Sequence, residues 1–124
     1  MNALGTQILL ELKQCNRDIL DDMSYIREAM LGAAEEVGAT VLGETFHKFS
    51  PQGVTGLVSI AESHLCIHTW PEYGYAAVDV FTCGGGFDPR KAADFLIRSL
   101  QCQDPSISEV KRGLLGEMIA SQTS

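Results

Sequence analysis

Between Ala39 and Cys83, four strand-like stretches follow one another with almost nothing between them, and that spacing leaves few folds open. They run from Ala39 to Phe49, Gly53 to Ala61, His64 to Thr69 and Tyr73 to Cys83. The second, third and fourth are rich in β-branched, aromatic or small residues, and turn formers stand at Ser50-Pro51-Gln52-Gly53 and Trp70-Pro71-Glu72. A parallel crossover needs about a dozen residues. Strands joined this tightly therefore pair antiparallel.

The flanking segments supply the second layer. Ile8, Leu9, Leu10 and Leu12 mark a first strand from Gly5 to Lys13. From Asp18 to Val37, apolar residues recur in three- and four-residue steps (Ile19, Met23, Ile26, Met30, Ala33, Ala34, Val37), the period of a helix. Asn16 or Asp18 can cap its start, Asp21 and Asp22 suit its first turn, and Gly38 stands where a C′ glycine belongs. After Gly84-Gly85-Gly86, Asp88-Pro89 opens a second helix with Asp as cap and Pro at the first turn, burying Ala92, Ala93, Leu96 and Leu100. A last strand is expected from Ser106 to Arg112, and a frayed tail at Gln122-Thr123-Ser124.

The order is β-α-β-β-β-β-α-β. It predicts an α+β fold: a two-layer α/β sandwich, with a mainly antiparallel sheet and both helices on one face. With 124 residues, the chain is expected to be a single domain, residues 1–124. A large cleft is easier to build between chains of this size than inside one, which favours a homo-oligomer.

Nine basic against 16 acidic residues leave a net charge of -7, so no basic footprint for nucleic acid is present. An acidic field suits a cationic substrate, and it equally keeps a protein soluble. Cys15, Cys66, Cys83 and Cys102 form no C-x-x-C pair. Without a signal-like start or an apolar stretch of membrane-spanning length, the expectation is a cytoplasmic protein with reduced thiols and no membrane partner.

Reactive groups crowd into residues 62 to 83, which hold two of the three histidines and two of the four cysteines. Strand alternation puts His64, Cys66 and His68 on one face, with Leu65 and Ile67 on the other. On a regular strand Ser63 faces away from His68. For the two to cooperate, Ser63 must lie at a strand end or strained turn, or the contact must cross to another strand.

Residues 62 to 84, Glu-Ser-His-Leu-Cys-Ile-His-Thr-Trp-Pro-Glu-Tyr-Gly-Tyr-Ala-Ala-Val-Asp-Val-Phe-Thr-Cys-Gly, resemble the signature of the short prokaryotic S-adenosylmethionine decarboxylases. The Thr45-Phe46-His47-Lys48-Phe49 stretch and the element order are similar to that family as well. The resemblance implies that Ser63 Oγ attacks the Glu62 carbonyl and turns the peptide bond into an ester. His68 matches the base that promotes elimination. The chain then parts into residues 1–62 and 63–124, and Ser63 becomes a pyruvoyl group, the self-made cofactor that forms a Schiff base with the substrate.

By the same resemblance Cys83 matches the proton donor in decarboxylation, Phe49 an aromatic stacking on adenine, and Glu72 a substrate-site carboxylate. Thr55 stands where the family commonly has serine assisting self-processing; the hydroxyl is kept and a methyl added. The implied reaction converts S-adenosylmethionine to its aminopropyl-donor form for polyamine synthesis. At least a dimer is implied, with sites near subunit boundaries.

Plainer roles compete for the same residues. Phe49 reads as well as a core aromatic, Cys83 as a small buried hydrophobe, and Trp70-Pro71 as a turn with a packed indole. Three rival functions also fit. His64, Cys66 and His68 with His47 or Cys83 resemble a tetrahedral metal set, although no metal is expected. A pyruvoyl enzyme could act on arginine or ornithine, and an uncleaved relative could be regulatory.

Overall fold

The computed structural model describes residues 3–84 and 86–115. The expected fraying at Gln122–Ser124 and the middle glycine of Gly84–Gly86 lie outside them. Six strands form one sheet in the order β2-β3-β4-β5-β1-β6: β1 Gly5–Lys13, β2 Val41–Lys48, β3 Val54–Ile60, β4 Ser63–Trp70, β5 Tyr75–Cys83 and β6 Asp104–Arg112. Every pairing is antiparallel. The α+β sandwich expected from the sequence is what forms, with the helices of the described residues on one face.

Alternation sorts each strand between two environments. Ile8, Leu10 and Leu12 of β1, Val54, Val58 and Ile60 of β3, Leu65 and Ile67 of β4, and Ala76, Val78 and Val80 of β5 are buried. They meet Ile26, Met30, Ala33 and Ala34 of α2 (Met23–Glu36), and Ala92, Ala93 and Leu96 of α3 (Pro89–Ser99) with Leu100 at its end. Each large side chain so buried contributes ~1.5–3 kcal/mol. Small residues let the two helices close up: a Cβ on Gly32 would lie 2.6 Å from the Phe95 ring. Among the described residues no helix covers the opposite face of the sheet.

The single helix expected from Asp18 to Val37 is two. A short α1 (Arg17–Leu20) precedes α2, and the break falls at Asp21-Asp22. Two caps cause it. Asn16 Oδ1 accepts the Ile19 N–H at 3.2 Å, and Asp22, in extended backbone, accepts the Tyr25 N–H at 3.1 Å. Periodicity carries across such a break because both pieces bury the same side, so apolar spacing alone reads them as one. The Asp88 cap and Pro89 start of α3 are as expected.

Candidate active site

The β3–β4 hairpin turns in two residues, Ala61 and Glu62, because Ile60 pairs directly with Ser63. Glu62 takes φ +62°, a left-handed conformation that costs a non-glycine residue ~1–3 kcal/mol. The Glu62–Ser63 peptide bond thus sits at an exposed, strained hairpin tip. Ser63 is half-buried at the very start of β4, and its Oγ accepts the Cys83 N–H at 3.4 Å. Cys83 closes β5 and is also half-buried. Ser63 and Cys83 are brought together.

A second cluster lies at the far end of β4. His68 pairs across the ladder with Thr55, and their side chains share a hydrogen bond, Thr55 Oγ1 to His68 Nδ1, at 3.1 Å. Beside them a cleft of about 290 Å³ is lined by Phe49, Thr55, His68, Trp70 and Glu72. Phe49 is 46% exposed, so it is not a core aromatic. Trp70 is no packed indole either: its ring stands half-open, 5.3 Å from the Tyr75 ring and 6.4 Å from that of His68. The role of Trp70 as cleft wall was hidden in the sequence by its turn-like Pro71 neighbour. Alternation from His68 is the signal that finds it.

Polar contacts brace the segments around this cleft. Thr69, pointing to the helix side, donates from Oγ1 to the Leu20 carbonyl at 2.8 Å and accepts the Val54 N–H at 2.8 Å. Asp21 accepts the Gly53 N–H at 2.9 Å and pairs with Lys48 at 2.8 Å, tying both sides of the loop that carries Phe49. The hydrogen bond from Lys48, then that from Gly53, hold the Asp21 carboxyl below its ordinary pKa of 3.8. A lowered carboxylate pKa stabilises above the ordinary value and loses that effect as pH falls through the lowered one. Asp21→Ala is expected to speed amide exchange at Gly53 by about threefold to tenfold at neutral pH. The native difference should shrink below pH 3.8. Equal exchange in both proteins at pH 7 would show that the loop holds itself.

Ser63 and His68 do not meet within one chain. Ser63 does lie at a strand end after a strained turn, as cooperation required, but its ladder partners are Ile60 and Thr82. Five strand steps separate it from His68, ~16 Å at ~3.3 Å per residue. His68 also lies on the open face, whereas Ser63 shares the parity of buried Leu65 and Ile67. The residues divide into a turn-end set, Glu62, Ser63 and Cys83, and a cleft-end set, Phe49, Thr55, His68 and Glu72.

The open face does not gather a metal set. Among the described residues no three His, Cys, Asp or Glu side chains stand close enough to hold an ion. His64 stacks on Phe81 at 5.5 Å instead, and Cys66 has its thiol pKa raised by burial and then by Asp79. No helix among the described residues is long and apolar enough to cross a membrane.

Known proteins share this sequence and this shape. The family model described as S-adenosylmethionine decarboxylase matches residues 6–113. A relative from Thermodesulfovibrio yellowstonii, named S-adenosylmethionine decarboxylase proenzyme, is 52% identical over 93% of this chain and 85% of its own. One of the same name from Caldanaerobacter subterraneus is 53% identical over 92% of each chain. The crystal structure of the adenosylmethionine decarboxylase from Aquifex aeolicus superposes with a TM-score of 0.87 at 36% identity, covering 94% of this chain and 97% of that one. With its hairpin tip, its antiparallel sheet and these matches along almost its whole length, the chain belongs to the S-adenosylmethionine decarboxylase family.

Proposed function

We propose that this protein decarboxylates S-adenosylmethionine after cutting itself between Glu62 and Ser63 into residues 1–62 and 63–124, and that the new end carries a pyruvoyl group. The observation that carries the reading is the strained two-residue tip at Glu62, with the Ser63 hydroxyl beside the bond to be broken. The proenzyme name of its relatives agrees with a chain made as a precursor. The arginine, ornithine and uncleaved alternatives have no such support.

The chemistry balances at residue 63. Ser63 Oγ bonds to the Glu62 carbonyl carbon, the C–N bond breaks, and the serine nitrogen takes the proton. His68 is the base for the next step: the Ser63 Cα proton leaves, the Cβ–Oγ bond breaks, and Glu62 departs as a carboxylate. Water then replaces the nitrogen, which leaves as ammonia. The ketone so formed supplies what no standard side chain offers, an electrophile for the substrate's amine and a sink for the electrons released with CO₂.

The residues present fit such a group. Position 63 is half-buried and accepts the backbone N–H of Cys83, the residue whose thiol returns a proton to the substrate α-carbon in this reading. Phe49, half-exposed in the cleft, offers a ring for the adenine, and Glu72 a carboxylate for ribose hydroxyls or positive charge. A sulfonium near an aromatic face gains ~0.5–2 kcal/mol.

Because the two sets lie at opposite ends of β4, the working site is assembled from two chains. A two-fold contact between open faces sets the cleft end of one chain over the turn end of the other. The open face supports this, since it exposes Leu9 (37%), Leu57 (42%), Trp70 (39%) and Val110 (40%). A reduced, cytoplasmic setting is part of the same reading, and the four cysteines are unpaired.

Co-expressing Ser63→Ala with His68→Ala tests the arrangement. Alone, each variant should stay whole. Together, intact mass should show the His68→Ala chain alone being cut, because its partner supplies the imidazole. If the mixture stays uncut while the wild type splits, shared sites are wrong. Counting CO₂ released from labelled S-adenosylmethionine, arginine and ornithine checks the substrate, and release only from one of the amino acids would overturn it.

A further inference from the structure

Thr82 holds the one buried side-chain oxygen or nitrogen among the described residues that has no hydrogen-bond partner. The residue is 2% exposed, so bulk solvent scarcely reaches it. Thr69, the other buried threonine, has its hydroxyl bonded on both sides. Orphaned buried hydroxyls carry the full cost of desolvation, and an isosteric valine would avoid it while suiting a strand as well. A hydroxyl that weakens the resting fold calls for a use.

Its position suggests one. Thr82 stands directly opposite Ser63 in the β4–β5 ladder and shares the helix-side parity of Val78 and Val80. Directly opposed side chains in an antiparallel pair have Cβ atoms ~4.5–5.5 Å apart. The neighbouring polar groups have contacts of their own. Thr6, its partner on the other side, accepts from Lys111 at 3.1 Å, Asp88 caps α3, and Ser63 Oγ takes the Cys83 N–H. Self-cleavage changes the hydrogen-bonding groups at residues 62 and 63, and residue 63 is the one opposite Thr82, so that event can give Thr82 a partner.

We propose that Thr82 is a positioning residue for self-cleavage, its hydroxyl hydrogen-bonding the residue-63 end as that end is released from Glu62. The role rests on the self-cleavage reading and deepens it. In the intact chain the hydroxyl has no partner among the described residues. Once Oγ moves to the Glu62 carbon and the nitrogen is freed, Thr82 holds the loosened end against β5 while elimination finishes. No atom of Thr82 is consumed.

The test compares Thr82→Val and Thr82→Ser with the wild type, following the appearance of the two chains by intact mass from the start of synthesis. Valine should slow cleavage about tenfold or more, while serine should stay within about threefold of wild type. In a Ser63→Ala background, which stays whole, Thr82→Val should unfold at the same temperature or higher. A valine chain that splits at the wild-type rate overturns the role. So does a serine variant as slow as valine, or a valine variant that melts lower, since either result assigns Thr82 to packing or to a hidden structural bond. A wild-type chain that never splits overturns the self-cleavage reading itself, and the role of Thr82 with it.

Discussion

Ser63→Ala should leave a single chain of 124 residues that releases no CO₂ from S-adenosylmethionine. The Glu62 carbonyl stands at a two-residue tip, and Ser63 Oγ is the nucleophile joined to the bond that must break. Removing it removes the attacking atom and the atom that becomes the leaving group, so the loss is complete rather than partial. The fold should barely notice. Ser63 Oγ makes one long contact, 3.4 Å from the Cys83 nitrogen, and alanine suits the half-buried strand start. Intact mass, CO₂ release and an unfolding scan check all three points together. A Ser63→Ala protein that still divides after Glu62 and turns over substrate would sink the mechanism.

Cys83→Ala separates making the cofactor from using it. The contact from Cys83 to Ser63 comes from the backbone N–H, which alanine keeps, so self-cleavage should continue. What disappears is the thiol at the end of β5, the proposed source of the proton that returns to the substrate. Loss of a positioned acid typically costs ~10²–10⁴-fold in rate. The expected result is two chains of normal mass with kcat lowered by about that factor and KM little changed. Unchanged turnover would remove the role, and failure to split would move Cys83 into processing.

Much of this layout is readable along the chain. The first strand, Gly5–Lys13, matches its apolar pattern end to end, and Asp88-Pro89 starts a helix for reasons confined to four residues. Alternation in residues 64 to 69 correctly divides Leu65 and Ile67 from His64, Cys66 and His68. Each of these features depends on neighbours within one turn or one pleat. The break at Asp21-Asp22 was not read, because apolar spacing runs on across the two local caps that cause it. Whether the Trp70 indole is packed was left open along the chain, because its exposure depends on where Tyr75 and the Phe49 loop come to lie.

By itself, then, the sequence determined the order of elements along the chain, the helix-covered layer and the family, and it singled out Glu62-Ser63 as the bond of interest. Periodicity and turn chemistry are short-range, and a long motif needs no coordinates. Only the tertiary structure decided who stands beside whom. It put Glu62 at a strained tip, joined Ser63 to the Cys83 backbone, left Thr82 without a partner among the described residues, and carried His68 with Thr55 to the other end of β4. Those outcomes follow from cross-strand register, which pairs residues 13 and 20 positions apart and sets distances no local pattern encodes.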